Sequence, residues 1–192
     1  MGAALVSSLY LHLGRQLAQL LGAKLQDASA EALRDLARAY DPSATDARIN
    51  AEVFLLHKYL LVQACVGAFP ESEAEQVVAG FFAALNERAD GLEFGSERQV
   101  AMEQMWRLRA GEFDRPFAKD REQFLDETSG ALHWKHTIDQ FCQNIRQLER
   151  PPDIWSGTGG PSHQASRSVT DILDKMLHAV GELNRLNFSK PA

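Results

Sequence analysis

The chain has 192 residues, 45% of them apolar and 24% charged, the mixture of an ordinary globular protein. At this length folding removes about 70% of the unfolded surface from water, so no disulfide or metal is needed to hold a core together. A formal charge of -6, from 26 acidic and 20 basic residues, disfavours a phosphate-binding surface, which needs a local excess of Lys and Arg. The densest basic stretch, Arg98 to Arg121, is interleaved with Glu103, Glu112, Asp114 and Asp120 and flanked by Glu97 and Glu122. Such mixing predicts a solvated helix surface, and nucleic acid is not an expected partner.

The first helix is expected from about Ala3 to Leu25, where Val6, Tyr10, Leu13, Leu17 and Leu20 recur at steps of four and three. Leu5, Leu9 and Leu21 widen this face, which must be covered by other helices or by a second subunit. No basic residue precedes the apolar run, so it does not read as a signal sequence. A second helix is expected over Ser29–Tyr40, stopped by Asp41-Pro42. Ser43 or Thr45 then caps a third that continues to Ala68. Apolar residues lie on most of its sides, which predicts a core position. Its strongest apolar run, Val53 to Phe69, is interrupted by His57, Lys58 and Gln63 and is shorter than the roughly 20 residues of a membrane span.

Ser72 with Glu75 predicts a capping box for a fourth helix ending at Asp90-Gly91. Ser96 with Gln99 predicts another, opening a fifth whose apolar side is Val100, Met102, Met105, Trp106 and Leu108. Gly111 and Pro116 are expected to bend or break it. A sixth helix is expected from Phe117 to Leu148, loosened at Ser129-Gly130, with Ala131, Trp134, Ile138, Phe141, Ile145 and Leu148 as its seam. A flexible Pro/Gly/Ser-rich loop at about 150–167 separates it from a last helix opened by Ser168 and Asp171. From that helix Val169, Ile172, Leu173, Met176, Val180, Leu183 and Leu186 are expected to face inward. The expected fold is all-α: a single domain, residues 1–192, arranged as a helical bundle or orthogonal array of about seven helices.

Chemistry-bearing patterns are sparse. Ser156 to Gly160 is glycine-rich but lacks the Lys-Ser/Thr of a phosphate loop and follows Trp155 rather than a strand. Cys65 and Cys142 sit among apolar neighbours and read as buried thiols in a reducing cytoplasm. His133 and His136, three apart with Asp139 three further on, are the most metal-like pair. The register of Ala131 and Trp134 sets both histidines outside the apolar seam, so no metal or other cofactor is expected.

The third helix carries the more informative anomaly. Glu52, Tyr59 and Gln63 share one stripe of an otherwise apolar helix, and Asn50 and His57 share another. A buried polar group without a partner costs about 1–3 kcal/mol, so these side chains need partners, water or a ligand. Glu52, His57, Tyr59 and Gln63 are therefore the candidate ligand-binding residues. The leading expectation is a cytoplasmic, non-enzymatic protein acting through self-association, as a homodimer using helix one, or through a protein partner. The alternative is a bundle, binding or enzymatic, with a pocket for a small apolar ligand near residues 45–68. No membrane partner is expected.

Overall fold

The computed structural model describes residues 2–90, 96–125, 134–146, 154–155 and 160–188. Among them are seven helices and no strand: α1 (Gly2–Lys24), α2 (Ala28–Tyr40), α3 (Asp46–Ala68), α4 (Glu71–Asp90), α5 (Ser96–Leu125), α6 (Lys135–Ile145) and α7 (Pro161–Phe188). The all-α class read from the sequence is the observed one. The chain forms two compact units, and α3, α5 and α7 each contribute one part to each: residues 1–23, 60–105 and 173–192 make the first, residues 24–59 and 106–172 the second.

In the first unit, α1 and α4 touch backbone to backbone. A Cβ on Gly14 would stand 2.1 Å from the Gly80 carbonyl oxygen, and one on Gly80 would stand 2.2 Å from the Tyr10 carbonyl oxygen. Only glycine lets the axes come this close. The crossing buries Leu13, Leu17, Ala18 and Leu21 of α1 together with Val77, Phe81 and Ala84 of α4. Of the two coverings the wide face of α1 required, the other helices supply one for Leu13, Leu17 and Leu21. Arg15 pairs with Glu87 at 3.2 Å on the surface. Asn184 of α7 donates to the Ala68 carbonyl at 2.6 Å, satisfying an end-of-helix acceptor of α3.

Two apolar sets expected inside are outside. Val100, Met102 and Met105 in the opening turns of α5 are 54%, 43% and 38% exposed. Leu186 is exposed with its neighbours Arg185 and Asn187, because the last turns of α7 run beyond the residues that bury Val180. The Ser72 capping box is also absent: Ser72 lies within α4, whose first turn is closed by the Ala74 amide on the Pro70 carbonyl at 2.8 Å.

In the second unit, Asp27 caps α2, accepting from the Ser29 and Ala30 amides at 3.0 and 3.2 Å. Asp41 ends that helix and accepts from the Ser43 amide and hydroxyl, an Asx turn ahead of α3. Thr45 caps α3 through the Arg48 amide at 3.3 Å. Helix α5 runs through Pro116 without the expected break, since Phe113 and Phe117 on either side are buried and hold the helix across the missing hydrogen bond. Leu108 on its outer side is exposed.

The single helix expected from Phe117 to Leu148 is two. Helix α5 ends at Leu125, residues 126–133 lie outside the described ones, and α6 starts after Trp134, a left-handed residue with φ 61°. A bulky side chain in this region costs about 1–3 kcal/mol and persists only where its surroundings hold it. Trp134 stacks on Phe117 with centroids 5.2 Å apart, and its Nε1 donates to Thr170 Oγ1 at 2.9 Å. No side chain of its own segment caps α6. Asp120 of α5 does so instead, accepting from the His136 and Thr137 amides at 3.0 and 2.7 Å. The seam Trp134, Ile138, Phe141 and Ile145 is buried as the spacing predicts.

The start of α7 lies at Pro161, ahead of the Ser168 opening read from the sequence. Proline suits the first helical position, where its missing amide is not needed, and the Gly160 carbonyl accepts from the His163 and Gln164 amides. Ser162, Ala165, Ser166 and Val169 form its buried face, small side chains that a loop-like composition had disguised. Residues 151–153 and 156–159 of the expected loop lie outside the described ones.

The α1–α4 crossing gives a direct test. Gly80→Ala should destabilise by at least the upper end of the ~1–3 kcal/mol of an overpacked core, because the obstacle is backbone rather than a movable side chain. Gly111→Ala, where an added methyl meets nothing within 4 Å, should be neutral or slightly stabilising. Urea unfolding of both variants measures the contrast.

Candidate functional site

The polar stripe of α3 is real, and most of it is spoken for by α5. Glu52 is 3% exposed. The Arg109 guanidinium covers it, with Nε 3.0 Å from both carboxylate oxygens and an outer nitrogen 2.7 Å from Oε1. The other outer nitrogen of Arg109 donates to Glu112 at 2.7 Å, so one cation sits between two carboxylates. Burial pushes the Glu52 carboxyl up, and the Arg109 hydrogen bonds draw it only part of the way back. Such a carboxylate is an internal anchor, with both oxygens engaged by Arg109.

Seven residues on, Tyr59 donates its hydroxyl to Asp114 at 3.0 Å. Its ring lies 5.4 Å from those of both Phe113 and Phe117. Burial first, and the adjacent Asp114 carboxylate second, push the phenol well above its ordinary range, so it stays protonated. Asn50 accepts from Arg34 Nε at 2.9 Å, and Arg48 donates to the Asn144 carbonyl near the end of α6 at 2.9 Å.

His57 is the exception. Fully buried, it turns Nδ1 to the Val53 carbonyl of its own helix at 2.8 Å, while Nε2 has no hydrogen-bond partner among the described residues. The ring is thus the neutral tautomer with its proton on Nδ1. Burial lowers its pKa to about 4. Gln63, the fourth candidate, lies on the same helix one turn after Tyr59 and is half-buried, in the part of α3 that belongs to the first unit.

The metal-like pair does not assemble. His133 lies outside the described residues; His136 is half-buried, and its backbone amide serves the Asp120 cap. Among the described residues no group of three His, Cys, Asp or Glu side chains could hold a metal ion. Both thiols are buried, and burial pushes Cys65 up to about 12 and Cys142 up as well, which suppresses thiolate chemistry. Ser156–Gly159 also lie outside the described residues; Gly160 leads directly into α7, contrary to expectation, but through Pro161, which has no amide to offer a phosphate.

The functional side chains that sequence reasoning missed are Arg109, Glu112, Asp114 and Asp120, all read as solvated helix surface. Asp120 is buried, and Arg109 is only 15% exposed. Asp114 and Arg109 reach Tyr59 and Glu52 across 55 and 57 positions, beyond any local pattern. By length and composition α3 is also, at 23 residues, apolar enough for a membrane span, which the shorter run Val53–Phe69 is not. Glu52 and Arg48, held by α5 and α6, show what it packs against here. No family model, curated protein or solved structure matches this chain.

The buried pair is testable. Arg109→Met strands the Glu52 charge and should cost about 3–5 kcal/mol, whereas Glu52→Leu combined with Arg109→Met should recover most of that loss. Chemical denaturation of the single and double variants gives the comparison.

Proposed function

We propose that the chain acts by association, and that its partner is a second copy of itself seated on the opening turns of α5. The observation that carries this reading is the exposure of Met102 and Met105, one turn apart on a helix that further along buries Phe113 and Phe117. Methionine suits such a surface, because its unbranched thioether repacks against varied shapes. Exposed apolar patches on soluble proteins commonly mark contact sites. Residues 96–105 carry Glu97, Arg98 and Glu103. With both signs present in its sequence, the segment carries no strong single-sign charge to repel a second copy. The reading sets the chain in the cytoplasm, where unpaired thiols such as Cys65 and Cys142 stay reduced. It assigns no catalytic step.

Small-ligand binding through Glu52, His57, Tyr59 and Gln63 has less support, since Arg109 and Asp114 already take the polar atoms of Glu52 and Tyr59.

Light scattering over a micromolar concentration series should report twice the chain mass, and Met102→Glu with Met105→Glu should return the chain to monomer with its circular dichroism unchanged. A monomer at every concentration overturns the proposal. A thermal-shift screen against small metabolites tests the rival: stabilisation of the wild type that is lost in Tyr59→Phe and His57→Gln would favour a pocket over an interface.

A further inference from the structure

The methionines among the described residues divide by environment. Met176 on α7 is fully buried, whereas Met102 and Met105 on α5 are 43% and 38% exposed. Three residues apart, the two are neighbours on one helix face. Ala101, Glu103 and Gln104 beside them are exposed as well, so the surrounding turn does not screen them from solvent. The thiols of Cys65 and Cys142 are both buried. Among the described residues, the sulfur that a solute meets first is therefore the thioether of Met102 and of Met105.

We propose that Met102 and Met105 are a modification site for peroxides, and that their conversion to sulfoxides turns off the self-association of the chain. The second half rests on the reading of α5 as the face that seats a second copy. In each step a lone pair of the thioether sulfur attacks the terminal oxygen of a hydroperoxide, and the O–O bond breaks as the S–O bond forms. Sulfur is oxidised by two electrons and the peroxide is reduced. The proton of the transferred hydroxyl passes to the departing oxygen, so the products are the sulfoxide and water, or an alcohol from an organic peroxide.

The product carries a polar oxygen on a side chain that was apolar. Water satisfies that oxygen on the free chain, and a second copy laid over it would strip the water away without supplying a donor. The thioethers are open to the oxidant in the dissociated chain, so oxidised chains accumulate as monomers. Sulfoxide reductases return the thioether at the expense of a dithiol, which makes the change reversible.

Treating the full chain with hydrogen peroxide at nanomolar dilution, with peptide mass spectrometry to place the added oxygen, tests the site. Met102 and Met105 should be oxidised at least about tenfold faster than Met176, since susceptibility follows exposure. Light scattering on return to micromolar concentration tests the switch. The untreated chain should be a dimer, and each sulfoxide should raise the dissociation constant on the order of tenfold. Reductases for both sulfoxide epimers, with a dithiol, should restore the dimer. Met102→Leu with Met105→Leu should give a dimer that peroxide leaves intact. A wild-type dimer that persists with both sulfoxides in place overturns the inference and leaves self-association standing, whereas an untreated chain that is monomeric throughout overturns both. Equal oxidation of Met176, or a leucine variant that peroxide dissociates, also overturns it. Should the leucine variant not associate, the reductase step decides: a wild-type chain that stays monomeric after its thioethers are restored sinks the proposal.

Discussion

The constraint on which the second unit depends is the burial of one guanidinium between two carboxylates. Arg109 binds Glu52 through two of its nitrogens and Glu112 through the third, and a fork of this kind tolerates little rotation about either helix axis. Once α3 and α5 are indexed by that contact, Tyr59 falls between Phe113 and Phe117, and its hydroxyl reaches Asp114. Phe117 in turn offers its face to Trp134, and Asp120, three residues further along α5, reaches the first amides of α6. The ion pair contributes little net free energy for its desolvation cost. Its effect is to select one angular setting among those the apolar residues alone would permit.

The first unit solves the same problem by other means. Its α1–α4 contact is held at backbone distance by Gly14 and Gly80, with apolar side chains closing around it. Shape does there what hydrogen bonding does in the second unit. Both keep a helix pair from sliding, but the glycine crossing does so without a buried charge.

Helix existence was legible in the chain because heptad-like spacing is a local property. Tyr10 to Leu21, Leu33 to Tyr40, Ile49 to Cys65 and Trp134 to Ile145 are buried where their spacing placed them. What spacing could not reveal was which apolar row finds a neighbour: Met102 and Met105, three apart, share a helix face as Val77 and Phe81 do, yet lie outside. Proline and glycine misled in both directions. Pro116 is carried by the buried phenylalanines around it, and Pro161 opens a helix in a stretch whose composition reads as loop. Of the candidate site, the anomaly of Glu52, His57 and Tyr59 was visible as polar residues on an apolar helix. Their partners were not, since charges interleaved along α5 look alike whether they face water or another helix.

The cap that Asp120 supplies to α6 has a consequence for how the chain acquires its structure. An isolated helix of 11 residues is too short to persist in water, and α6 carries no start signal of its own. Its start is capped by a carboxylate 16 and 17 positions upstream, so its helicity depends on a contact outside its own segment. Synthesis runs from the N-terminus, and α5 leaves the ribosome first. The carboxylate is therefore synthesised before the amides it caps, and the start signal of α6 precedes α6 along the chain.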